Sequence, residues 1–214
     1  MTLLRTTLTL LAALAPALSL RAGAAEDELV QLQHDWEVIR YQTPNAEREK
    51  RFEALAARAH RFAEAQPARA EPLVWEGIII SSWAGEKHGL GALSLVRRAK
   101  ALYESAIRID GRALDGLAYH SLGMLYAKAP GWPLGFGDKA RAKALLEQAL
   151  ALDPNGIDPN FCYGEFLLDN GHANEATIYL EHALQAPLRP GRHVADTGRR
   201  EEARVLLDRA RAER

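Results

Sequence analysis

The chain has one cysteine, Cys162, in 214 residues. No internal disulfide is open to it, so its fold rests on packing alone. Aromatic residues make up only 7%, while alanine and leucine dominate, a mix that favours helices because both lose little on entering one. Charge of one sign is also missing: 27 basic stand against 28 acidic residues. That balance gives no field to draw nucleic acid or anionic lipid. Catalytic signatures are absent too. The seven histidines are scattered, without the paired spacing and glutamate of zinc hydrolases. No serine sits in a nucleophile elbow. Gly89 to Ser94 lacks both the preceding strand and the last position of a dinucleotide loop, and Gly131 to Lys139 lacks the Lys-Ser/Thr ending of a phosphate loop. The chain reads as a protein without catalysis, metal or cofactor.

Long apolar runs are confined to one place. Arg5 begins a short positive stretch, Thr7 to Leu20 is nearly uncharged, and Ala22-Gly23-Ala24-Ala25 offers small residues before Glu26. This is the pattern of a secretory signal peptide over 1–25, with residues 26–214 as the exported domain. The run is short for a membrane span and no second one follows. The expected location is periplasmic, with no membrane anchor after cleavage. Cys162, between Phe161 and Tyr163, reads as a packed thiol.

Beyond the leader the apolar residues recur at three and four. Leu29, Leu32, Trp36 and Ile39 mark one helix, broken at Thr43-Pro44; Phe52, Leu55, Ala59, Phe62 and Ala63 mark the next. Glu71-Pro72 opens a third, running through Gly77 to about Gly85. Gly89-Leu90-Gly91 reads as a loop before a helix over 95–110 with Ala99, Tyr103 and Ala106. Further on, Ala142, Leu146, Ala149 and Pro154 repeat as Ala176, Leu180, Ala183 and Pro187. Gly123 and Gly164 lie in the helices ahead of these sets. This is the pattern of the tetratricopeptide repeat. The expected fold is all-α: a helical-hairpin solenoid of three to four repeats, with residues from about Asp196 to Arg211 as a closing cap. Asp158-Pro159 reads as a helix cap followed by proline.

The repeats differ in one turn. Gly164 and Ala176 are 12 positions apart, but Gly123 and Ala142 are 19 apart. The excess falls on Pro130 to Asp138, which holds Trp132, Leu134 and Phe136. Inserted loops of solenoids tend to gather on the binding face. Trp132 either folds the loop back over the solenoid or meets a partner directly.

The segments Ala118 to Gly123, Pro130 to Lys139 and Asp158 to Leu167 resemble the exported tetratricopeptide proteins known as the TRAP-transporter-associated T component. The likeness spans roughly 95–202. It implies a periplasmic helical solenoid that partners the solute-binding protein of a tripartite transporter, and it supplies no catalytic residues.

In such a stack the first helix of each hairpin lines a concave groove. The register places Val74, Ile78, Ser81 and Ser82, then His120, Met124 and Lys128, then Phe161, Glu165, Leu168 and Asp169 on that surface. The Lys and Asn that grip a terminal carboxylate in some tetratricopeptide proteins are missing there. Three roles fit: an accessory docking a solute-binding subunit, a general envelope scaffold holding a peptide or helix, or a carrier of a small apolar ligand enclosed by Trp132, Phe136 and the groove. Apolar residues at a solenoid end also suit a homo-oligomer.

Overall fold

The computed structural model describes residue 23 and residues 25–87 and 89–213. The expected leader lies, apart from Gly23 and Ala25, outside them. Among the described residues the regular structure is entirely helical. Helix α1 covers 25–42, followed by α2 (Asn45–Glu64), α3 (Ala70–Glu86), α4 (Leu90–Asp110), a short 3-10 turn (Ala113–Gly116), α5 (Leu117–Lys128), α6 (Lys139–Leu152), α7 (Ile157–Asp169), α8 (Ala173–Gln185) and α9 (His193–Ala212).

The helices pair as α3 with α4, α5 with α6 and α7 with α8, and the glycines show why. A Cβ on Gly123 would lie 2.8 Å from Leu146 Cγ and 3.3 Å from the Ala142 carbonyl oxygen. On Gly164 it would lie 2.8 Å from Leu180 Cγ and 3.3 Å from the Ala176 oxygen. The same pair of contacts recurs in the same register, so α5/α6 and α7/α8 are two copies of one unit. In α3/α4 the ring of Tyr103 fills this place, 2.5 Å from a Cβ on Gly77. The second-helix residues Ala99, Ala106, Ala142, Leu146, Ala176, Leu180 and Ala183 are all fully buried. The protein is a tetratricopeptide-like helical-hairpin solenoid.

Two local expectations are corrected. The α3–α4 connection is not a long loop: α3 runs to Glu86 and α4 begins at Leu90. The extra residues extend the helices, and Gly89, at φ 77°, makes the reversal in the left-handed region that costs glycine nothing. Asp158 is not a cap. Helix α7 starts two residues earlier, with Gly156 at its N-cap and no side-chain cap bond. Pro159 is still within the first turn, where its missing N–H leaves no bond unmade.

The odd-numbered helices form the inner layer. Contacts run from α3 to α5, α5 to α7 and α7 to α9, and α1 joins α3 through Trp36 and Trp75, whose rings meet edge-on at 5.9 Å. Helix α9 does more than cap α8. It also reaches α1: Arg192 donates to the buried Glu37 carboxylate, Arg40 donates to Glu202 at 2.7 Å, and Tyr41 packs so tightly on Gly198 that a Cβ there would lie 2.3 Å from the ring. The inner layer therefore returns to its own beginning. Among the described residues no helix is long and apolar enough to cross a membrane.

Candidate functional site

Closure of the inner layer turns the expected groove into a partly enclosed chamber of about 520 Å³, within the size range of small-molecule sites. Ile78, Ser81 and Ser82 from α3, His120, Met124 and Lys128 from α5, and Phe161 and Glu165 from α7 line it together. The serine hydroxyls are turned back on their own helix: Ser81 donates to the Gly77 carbonyl at 2.8 Å and Ser82 to the Ile78 carbonyl at 2.9 Å. Ser82 also accepts from Trp36 Nε1 at 2.8 Å.

Leu168 is not a groove residue. It is 1% exposed and belongs to the core, because the face α7 turns inward is Asp158, Phe161, Cys162 and Glu165. These residues sit at helical intervals of three and four; Leu168 continues that spacing, three after Glu165, but falls at the edge of the stripe, where it packs into the core. Val74, likewise 1% exposed, is core as well. Asp169 sits nearer the rim, where Lys128 donates to it at 2.6 Å and to Glu165 at 2.7 Å. Burial alone would raise the Asp169 pKa, but hydrogen bonds and charge from Lys128 and Arg209 hold it below the usual range.

The charged part of the chamber was not legible as a site. Asp158 accepts from Arg189 Nη1 at 2.7 Å and from Arg199 Nε at 2.9 Å. Burial would raise its pKa, yet the two guanidinium groups hold the carboxyl well below the usual carboxylate range. Arg199 goes on to Glu202 at 2.8 Å, and its guanidinium carbon lies 4.3 Å from the centre of the Phe161 ring. Arg189 is also fixed by the buried Asp196, whose carboxylate accepts from its backbone and side chain. His120, 8% exposed, is held neutral: burial, with Arg199 and Arg189 nearby, brings its pKa down to about 4. Burial pushes the thiol of Cys162 far up.

The inserted loop lies outside this chamber. Backbone bonds pin it: Gly137 N–H to the Pro130 oxygen at 2.8 Å, Gly135 N–H to Gly131 at 3.0 Å and Asp138 N–H to Tyr126 at 3.0 Å. Phe136, not Trp132, folds it back, meeting the Tyr126 ring edge-on at 5.3 Å. Trp132 stands 90% exposed and Leu134 71%. Beneath them is an apolar hollow of about 640 Å³ walled by residues that include Leu93, Val96, Leu125 and Pro133.

No family model matches the chain, and no curated protein matches it. Among solved structures it is similar to a thermophilic TPR protein of Thermus thermophilus, at 17% identity and a TM-score of 0.41, over 73% of this chain and 92% of that one. A likeness of that size carries no weight; the repeat architecture rests on the paired glycine contacts. Solenoids of this kind offer extended surfaces for binding partners.

Proposed function

We propose that the protein is a non-catalytic interaction module of the periplasm, delivered there by the leader over 1–25, and that it docks the solute-binding subunit of a TRAP-type transporter. One observation carries the docking role: a tryptophan and a leucine are held out into solvent by a loop whose own backbone is tied down. An exposed apolar pair on a mobile loop is commonplace, but one on a braced loop beside an apolar hollow suits a partner surface. Tryptophan is the residue most enriched where binding energy concentrates. The choice of partner comes from the resemblance over 95–202.

The test is reciprocal capture, with the mature chain and a periplasmic solute-binding protein each used as bait. Trp132→Ala with Leu134→Ala is expected to weaken the complex by about 2 kcal/mol or more, roughly 30-fold, with unchanged helix content. Full affinity in the double variant would remove the loop from the interface. Recovery of envelope-assembly proteins in place of a solute-binding protein would move the role to a general scaffold.

A further inference from the structure

The chamber has a chemical bias that docking at the loop does not use. Its walls are largely apolar, built from Trp36, Trp75, Ile78, Met124 and Phe161. Its polar groups divide unequally. Two of the three acids that line it are hydrogen-bonded to cations, Asp158 to Arg189 and Arg199 and Glu165 to Lys128, while Glu86 has Arg48 at 4.0 Å. A cation entering the chamber would meet carboxylates already largely neutralised.

The donors are another matter. Arg199 spends Nε on Asp158 and Nη1 on Glu202, and its Nη2 has no acceptor among the described residues. Arg192 spends Nε on Glu37 while its guanidinium lies over the Trp75 ring at 5.1 Å, and both its Nη atoms lack acceptors among the described residues. The Trp75 indole N–H is buried with no partner. His120, neutral and more than nine-tenths buried, lines the chamber without a hydrogen bond to any described residue. Of these only the Trp75 N–H is sealed off without a partner; the guanidinium nitrogens not spent on protein carboxylates are donors still open to a ligand, and what would engage them is a strong acceptor. Because the arginines are already balanced by Asp158, Asp196, Glu37 and Glu202, the chamber suits one added negative charge better than two or three.

We propose that the chamber binds a small monocarboxylate with an aromatic or aliphatic body, its carboxylate anchored by the free guanidinium nitrogen of Arg199 with His120 beside it, and its body against Trp75, Ile78 and Met124. Carboxylates are the acceptors that guanidinium groups bind most strongly. The site is independent of partner docking at Trp132 and Leu134.

The experiment is calorimetry and tryptophan quenching on the whole mature protein, with phenylacetate, indole-3-acetate and octanoate as probes and phenylacetamide and indole-3-acetamide as uncharged mimics. At least one acid is expected to bind, with its amide about tenfold weaker or worse. Arg199→Lys, which keeps the charge but loses the fork, should weaken the acid by a similar factor. Met124→Trp, which fills the chamber without touching a charge, should abolish binding, and it serves where Arg199→Lys fails to fold. Trp132→Ala should leave acid binding unchanged, which separates this site from the docking loop. Equal affinity for acid and amide would overturn the proposal. So would the absence of heat and quenching for all three acids up to about 10 mM, or undiminished binding in Met124→Trp.

Discussion

Arg192, at the N-cap of α9, donates to the carboxylate of Glu37 in α1 across 155 positions of the chain. Glu37 is 1% exposed and Arg192 17% at the side chain, so the pair is a buried link between the two ends of the helix array. Removing one member strands the other charge. Arg192→Met is expected to destabilise the protein by about 3–5 kcal/mol, whereas Arg192→Met with Glu37→Leu should recover most of that loss. Urea unfolding of the two variants decides it, and equal losses would show that the link does not hold the ends together.

The glycine contacts forecast a pattern of opposite signs. Gly123→Ala and Gly164→Ala each push a methyl against a leucine and a backbone carbonyl, with an expected cost of about 1–3 kcal/mol. Gly85→Ala, in helix α3 with nothing within 4 Å of the new Cβ, should stabilise by about 0.5–1 kcal/mol. Thermal unfolding of the three variants should put Gly85→Ala above the wild type and the other two below it.

Acid should weaken the fold in two stages. His120 is held to about 4 against an ordinary 6.5. Below pH 6.5 the unfolded chain takes up a proton that the folded protein refuses until about pH 4. Stability is therefore full above 6.5 and falls through this window by about 3 kcal/mol. Asp158, with its pKa depressed from 3.8, stabilises above that value and adds a second loss below it. Denaturant midpoints measured from pH 7.5 to pH 3.5 should decline from near neutrality, and His120→Gln should flatten the upper part of the decline.

Cys162 should be a silent thiol. It is buried and its pKa is pushed far up by that burial, so almost no thiolate is present to react. Iodoacetamide labelling of the native protein is expected to be at least about 100-fold slower than in denaturant. Fast native labelling would mean that the chamber wall opens readily.

The hairpins were readable because their contacts are sequence-local in pattern: Gly123 needs Ala142 and Leu146, and Gly164 needs Ala176 and Leu180, at spacings that helix geometry sets. The phase of α7 was half readable. Phe161 and Glu165 do line the chamber, but Leu168 turns into the core, since the helix is packed on several sides and its inward stripe is narrow. Asp158 was hidden by resemblance to another role. An Asp before Pro is a strong cap signal, and only the earlier start at Ile157, braced by Asn160 donating to the Gly156 and Pro154 carbonyls at 2.8 and 2.9 Å, frees it to meet two arginines. Glu37 and Arg192 carry no pattern at all: each looks like an ordinary surface charge on an amphipathic helix until α1 and α9 are brought together.

An array whose last inner helix touches its first has a fixed size. Ordinary repeat proteins grow or shrink by whole units, because each unit meets only its neighbours. Here a duplicated hairpin would have to be wedged into a circuit already shut, and a deleted one would leave α1 and α9 facing across a gap. Such a circuit resists the route by which repeat architectures usually change, and new specificity is expected to come by substitution within the circuit and by lengthening turns such as Pro130 to Asp138.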